Sequence, residues 1–90
     1  AIDDPVAHRA VDAERAFLAE LGGGCDLPCG ALARVSASGE IILEGLLASL
    51  DGHVSLRTRV AGDDPVDVGT TAALDLLDDK GGRALMEDVA

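Results

Sequence analysis

Large aromatic side chains are almost missing from this chain. Phe17 is its only aromatic residue, and alanine is the commonest residue although 48% of the chain is hydrophobic. A chain of 90 residues buries only about three-fifths of its unfolded surface. We therefore expect a single domain over residues 1–90 with a thin aliphatic core. So little material leaves no room for a deep enzyme cleft, which favours a module or one part of a larger protein.

Basic residues are also few, with seven Lys and Arg against 17 Asp and Glu and a net charge of -10. They form no run, and nucleic acid or an anionic membrane would require a clustered basic surface. We expect neither as a partner. No apolar run reaches the roughly 18 residues that span a bilayer, and no charged-then-apolar leader opens the chain. Together with only two cysteines, this predicts a cytoplasmic location in a reducing compartment.

The first element is predicted to be a helix. Asp4 can accept a hydrogen bond from the first turn and Pro5 has no amide proton to leave unpaired there, so a helix should begin at this pair. It should run to Leu21 and end at Gly22, which is free to take the left-handed conformation. Its apolar stripe is predicted to comprise Val6, Ala10, Ala13, Phe17 and Leu21, widened by Val11 and Leu18.

Three strands are predicted next. From Gly30 to Val35 the hydrophobic pattern changes to a period of two residues, as in a strand. A second run, rich in branched residues, extends from Ile41 to Ala48. Asp51-Gly52 predicts a tight hairpin, because both residues tolerate positive φ. In the third strand Val54, Leu56, Thr58 and Val60 should share one face, with His53, Ser55, Arg57 and Arg59 on the other. Ile42 and Leu46 then lie on the face of the sheet that we expect to be open.

Two helices are predicted to close the chain. Asp64-Pro65 starts one, whose stripe is Val66, Gly69, Ala73, Leu76 and Leu77 and which stops at Gly81-Gly82. A last helix should cover Arg83 to Val89, with Leu85, Met86 and Val89 facing inward. The order α-β-β-β-α-α predicts an α+β fold, a three-stranded antiparallel meander with about three helices packed on one face.

The connection between the first helix and the first strand holds a cysteine after three glycines. Without Cβ atoms, Gly22 to Gly24 let a bulky group approach the backbone beside Cys25. The preceding helix C-terminus and Asp26 both disfavour a thiolate. Cys25 is therefore a poor catalytic nucleophile, and it suits an attachment that is made once.

The residues of this region resemble a known family. The segments AERAFL (residues 13–18), LGGGC (21–25), Leu27-Pro28 and Gly30-Ala31 resemble the C-terminal domain of the hydroxymethylbilane synthases, also called porphobilinogen deaminases. Gly39-Glu40, Asp51-Gly52 and Gly69 continue the resemblance, so that it covers nearly the whole chain. The motif around Cys25 is long and specific.

The resemblance implies a function. In that family the cysteine matching Cys25 carries a dipyrromethane cofactor through a thioether bond. Four porphobilinogen molecules are added to the cofactor with release of ammonia, and hydrolysis releases hydroxymethylbilane in tetrapyrrole (haem) biosynthesis. Cys25 is thus the expected cofactor-binding residue of a transferase.

The resemblance also implies what this chain lacks. Two further domains precede this one in the family and supply the catalytic aspartate and most of the arginines that hold substrate carboxylates. We therefore expect no catalytic residue and no metal in these residues, and no activity or bound cofactor in the fragment alone. The missing domains are its expected partners, porphobilinogen is the substrate of the intact enzyme, and the fragment should be a monomer.

Cys29 departs from the family pattern, where an aliphatic residue is expected. It is interpreted as a small buried hydrophobe, with a disulfide to Cys25 as the alternative in an oxidised sample. Two other functions stay open: a thiol redox module, although the cysteine spacing is unusual for one, and a free-standing acidic interaction module that uses the open sheet face. Zinc would need two further ligands, and His8 and His53 lack paired spacing.

Overall fold

A computed structural model describes residues 5–22 and 27–87, and the side chains of residues 6–22 and 27–84. The elements follow the predicted order α-β-β-β-α-α. They are α1 (Pro5–Leu21), β1 (Cys29–Val35), β2 (Ile41–Ala48), β3 (Ser55–Gly62), α2 (Pro65–Leu74), a π-helical turn (Asp75–Asp79) and α3 (Gly82–Glu87). The α+β fold is thereby confirmed.

Helix α1 buries a narrower stripe than the sequence predicted. Ala13, Phe17 and Leu21 are buried, whereas the predicted stripe members Val6, Val11 and Leu18 are exposed. Val11 and Leu18 lie about 100° or more around the helix from Phe17, beyond the stripe that one packed layer covers. The predicted end of the helix is confirmed, since Gly22 follows Leu21 with φ +102°.

The three strands form one antiparallel sheet in the order β1-β2-β3. The core face carries Ala31, Ala33, Val35, Ile41, Leu43, Leu47, Leu56, Thr58 and Val60. Gly45 lies at the centre of this face, opposite Ala31 on one side and Thr58 on the other. The ring of Phe17 occupies the space above it, and a Cβ added to Gly45 would come within 2.6 Å of Phe17 Cε1.

The β2–β3 connection is longer than the predicted two-residue turn. Six residues, 49 to 54, join the strands, and only Gly52 has positive φ, +78°. The reason is a side-chain network centred on Asp51. Its carboxylate accepts hydrogen bonds from Ser49 Oγ at 2.6 Å and from the amide of His53 at 3.0 Å. These bonds lower the pKa of Asp51, the Ser49 hydroxyl having the larger effect.

Helix α2 begins as predicted and then changes its winding. The side chain of Asp64 accepts a hydrogen bond from the amide of Val66 at 3.0 Å. Val66 itself is exposed rather than part of the stripe. After Leu74 the helix continues as a π-turn, in which the amide of Lys80 donates to the carbonyl of Asp75 at 3.0 Å.

The last helix begins one residue earlier than predicted, at Gly82, and is described as far as Glu87. Its predicted inward side chains, Leu85, Met86 and Val89, lie outside the described part. At the start of α3, a Cβ on Gly82 would come within 2.9 Å of Leu47 Cδ2. No helix in the described ranges 5–22 and 27–87 is long and apolar enough to cross a membrane.

Two polar contacts fix α1 on the sheet. The amide of Ala33, on the edge strand β1, donates to Glu14 Oε2 at 2.8 Å. Arg9 Nη2 donates to the carbonyl of Asp63, 54 residues away in sequence, at 2.9 Å. Helix α1 is thereby held both to the first strand and to the junction between β3 and α2.

Candidate functional site

The connection between α1 and β1 is the first candidate site, because it contains Cys25. Cys25 and its neighbours at positions 23, 24 and 26 lie outside the described residues. The flanks are described: α1 ends at Leu21, which is buried, and Leu27 is buried again before β1 starts at Cys29. The core therefore holds both sides of the connection.

Open space borders this connection at both ends. A Cβ added to Gly22 or to Gly30 would meet no atom of residues 5–22 and 27–87 within 4 Å. Gly52 and Gly81 in other turns are equally open, whereas Gly45 and Gly69 are crowded. The described flanks therefore leave room for a bulky group, and a thiol is the nucleophile that a permanent carbon–sulfur bond requires.

Cys29 is described, and its surroundings agree with the apolar interpretation. It is half-buried, it packs against the hydrophobic core, and it stands opposite Leu47 in the sheet register. This confirms a packing role for Cys29 at the start of β1. Pairing with Cys25 stays a prediction, since that residue is outside the described part.

The second candidate is the open face of the sheet, the side that the helices leave uncovered. An open cleft of about 770 Å³ lies there. Its lining includes Gly30, Leu32, Glu44, Leu46, Arg57 and Arg59 from the strands, with Asp75 and Lys80 at one border. The sequence predicted that Ile42 and Leu46 point to this face, and both alternate with the buried residues of β2 as expected.

The border of this cleft contains a polar contact that the sequence did not predict. Thr58 Oγ1 donates a hydrogen bond of 2.5 Å to Asp75 Oδ2. This bond is the main cause that lowers the pKa of Asp75, with a smaller contribution from the charge of Lys80. The available signal was Thr58 itself, because a hydroxyl on the inward face of a strand requires a partner.

Metal-binding groups are not assembled in the described structure. Within residues 5–22 and 27–87, no three His, Cys, Asp or Glu side chains could hold one ion together. His8 is exposed on α1, and His53 lies in the β2–β3 connection with its Nδ1 3.1 Å from Asp51 Oδ2. The two histidines therefore lie on different elements, and neither is paired with the other.

Comparison with known proteins identifies the family. Residues 8–78 match the model of the family described as "Porphobilinogen deaminase, C-terminal domain". The chain belongs to the porphobilinogen deaminase family. The match includes the connection with Cys25 and nearly all of the fold up to the π-turn.

Curated relatives carry the same family name. The chain is 45% identical over 86 residues to a porphobilinogen deaminase of Roseiflexus castenholzii, covering 94% of this chain and 28% of the relative. A porphobilinogen deaminase of Thermus thermophilus is 40% identical over 91 residues, covering 99% of this chain and 30% of the relative. The chain thus spans less than a third of the length of these porphobilinogen deaminases.

Proposed function

We propose that this chain is the cofactor-attachment domain of a porphobilinogen deaminase, a transferase that joins four porphobilinogen molecules into hydroxymethylbilane in tetrapyrrole biosynthesis. The observation that carries the proposal is that the family match over residues 8–78 spans the LGGGC motif together with most of α1 and all of β1. Two preceding domains would complete the enzyme, and the cytoplasm is its expected compartment. The domain alone would be monomeric and inactive.

Cys25 would hold dipyrromethane through a thioether. The sulfur forms a bond to the methylene carbon of a porphobilinogen unit, the bond from that carbon to the amino nitrogen breaks, and the thiol proton leaves with the departing ammonia. When bound, the group supplies the free pyrrole end to which further porphobilinogen is added. The bond formed by Cys25 is made once, so no thiolate activated for every turnover is required.

The flanks of the connection agree with this role. The buried Leu21 and Leu27 fix the chain on either side, and Gly22 and Gly30 leave open space where a side chain would stand. The acidic composition, with a net charge of -10, also explains why this domain would leave the binding of substrate carboxylates to other domains.

Intact mass spectrometry of the full-length enzyme tests the proposal. The wild-type protein should carry the added mass of dipyrromethane, and digestion should place it on the peptide that contains Cys25. Cys25→Ser should lack this mass and lose synthase activity by at least about 100-fold, because no thioether can form. The matched control is Cys29→Ser, which should keep both mass and activity. A Cys25→Ser enzyme that retained the group and its activity would overturn the proposal.

A further inference from the structure

The open face of the sheet carries a positive patch in a strongly acidic domain. Arg34, Arg57 and Arg59 lie on the strands of this face, and Glu44 is the only acid on them. The strands of the face therefore have a net charge of +2, against -10 for the chain. The open face is therefore more basic than the rest of the domain.

The three arginines have no partners within residues 5–22 and 27–87. None of them forms an ion pair or a side-chain hydrogen bond there, in contrast to Arg9 and Arg83. All three are exposed. Glu44 stands opposite Arg59 in the register but forms no ion pair with it, so the open face keeps a surplus of positive charge, which favours an acidic partner surface.

Aliphatic side chains lie between these arginines. Leu32 is 71% exposed, and Ile42 and Leu46 are half-buried on the same face. Arginine is enriched in protein interfaces, where Lys, Asp and Glu are depleted. The face thus combines exposed and half-buried aliphatic side chains with guanidinium groups that form no ion pair, and Glu44 lies among them on the middle strand, opposite Leu32 and Arg59.

The size of the face distinguishes its possible occupants. Three strands of about eight residues cover roughly 25 Å by 14 Å, or about 350 to 500 Å² on each partner. A stable dimer of independent chains buries about 1,200 Å² or more in total, whereas interfaces between domains of one chain begin near 600 Å². A second copy packed face to face about a two-fold axis would also bring the two sets of arginines together. The area and the charge both favour a domain of the same polypeptide.

We propose that this open face docks against an acidic, partly apolar surface of the remaining polypeptide of the same enzyme. This inference rests on the proposed function, and it names the surface by which the attachment domain is held. The relatives provide the necessary chain, since more than two thirds of their length lies outside the matched part. Arg57 and Arg59 would form ion pairs with carboxylates of that partner surface, and Leu32 would pack against its apolar side chains.

Hydroxyl-radical footprinting of the full-length enzyme tests the docking, with an internal control. Leu32 and Leu50 are equally accessible in this domain, 71% and 67% exposed, but Leu50 lies in the β2–β3 connection away from the face. With the face docked, Leu32 should be oxidised at least about fivefold more slowly than Leu50. Equal rates would overturn the proposal, and so would protection of Leu32 that disappears on dilution, which indicates a second copy.

Charge reversal tests the role of the arginines. Arg57→Glu with Arg59→Glu should raise the oxidation of Leu32 to the rate of Leu50, while Arg83→Glu, outside the face, should leave Leu32 protected. If both variants behaved alike, the acidic partner surface would be refuted. The intact mass of each sample separates this result from the proposed function: a cofactor on Cys25 with an unprotected Leu32 refutes only the docking, and a protected Leu32 without cofactor refutes only the attachment.

Discussion

The ring of Phe17 takes the place that a side chain at residue 45 would occupy. Gly45 stands at the centre of β2, and any Cβ there would come within 2.6 Å of Phe17 Cε1 and 3.2 Å of Thr58 Cγ2. Because the chain has one aromatic residue, this contact fills much of the volume that its small aliphatic residues leave open. Helix α1 and the sheet are joined at this point.

Gly45→Ala should therefore destabilise the domain. The added methyl group overlaps a fully buried ring that the surrounding core holds in place, which costs about 1–3 kcal/mol of unfolding free energy. Urea denaturation measures the loss. The matched control is Gly30→Ala, in β1 with open space around it, which should change stability by less than about 0.5 kcal/mol. Equal effects of the two variants would show that strand propensity, and not the Phe17 contact, decides the outcome.

Gly69→Ala should be more damaging. A Cβ at Gly69 would overlap the carbonyl oxygen of Ala13 and lie 2.7 Å from the Cβ of Ala16. These are backbone and near-backbone atoms, which cannot move aside by rotation. Relieving this overlap would move α1 away from α2 and expose core side chains to solvent. We therefore expect the free energy of unfolding to fall by more than about 3 kcal/mol. Thermal unfolding by circular dichroism measures it, and a variant as stable as the wild type would contradict the close helix packing.

Thr58→Val should remove part of the stability that Asp75 provides, in a pH-dependent way. The Thr58 hydrogen bond lowers the pKa of Asp75 in the folded state. Its stabilising effect is therefore complete above the unfolded pKa near 3.9 and is lost as pH falls through the lower folded value. We expect about 1 kcal/mol at pH 7, after allowance for solvent around Asp75.

Urea unfolding at pH 7 and at pH 2.5 tests this dependence. The difference between Thr58→Val and the wild type should shrink at the lower pH. Thr71→Val, an exposed threonine on α2, is the control and should show no pH-dependent difference. A constant loss at both pH values would mean that the hydroxyl acts through packing and not through the carboxylate.

Asp64→Ala should weaken the start of α2. The Asp64 side chain satisfies the amide of Val66, and loss of such an N-cap costs about 1 kcal/mol. Asp63→Ala removes the same charge from the neighbouring position, where only the backbone carbonyl is used, by Arg9. The two variants therefore separate capping from charge in chemical denaturation. Similar midpoints for both would refute the cap.

Much of the fold was predictable because its signals are local. Asp64-Pro65 and Gly22 mark helix ends through their own conformations, and the branched run 41–48 defines β2 by itself. The length of the β2–β3 connection was not predictable from the Asp51-Gly52 pair alone. It depends on hydrogen bonds from Ser49 and His53 to the Asp51 carboxylate, which a two-residue pattern does not reveal. The π-turn was not predictable for a related reason. Its wider winding accompanies the burial of both Leu76 and Leu77 in the core, and this depends on tertiary packing and not on a local sequence signal.

The candidate sites differ in the same way. Cys25 was predictable as a site residue because its motif, LGGGC, is contiguous in the sequence. The basic face was not predictable as a whole, although Arg57 and Arg59 were assigned to the correct side of β3. Arg34 is separated from Arg57 and Arg59 by two turns of chain, and only the register of the sheet places the three on one surface.

The carboxylate of Glu14 has one more consequence for a protein of this size. Strand β1 ends the sheet on one side, and an uncovered strand edge invites the strands of neighbouring molecules to add to it. By accepting the amide of Ala33, Glu14 occupies a donor that such a strand would need and places a negative charge in its path. We therefore expect Glu14 to make β1 a poorer template for the strands of neighbouring molecules.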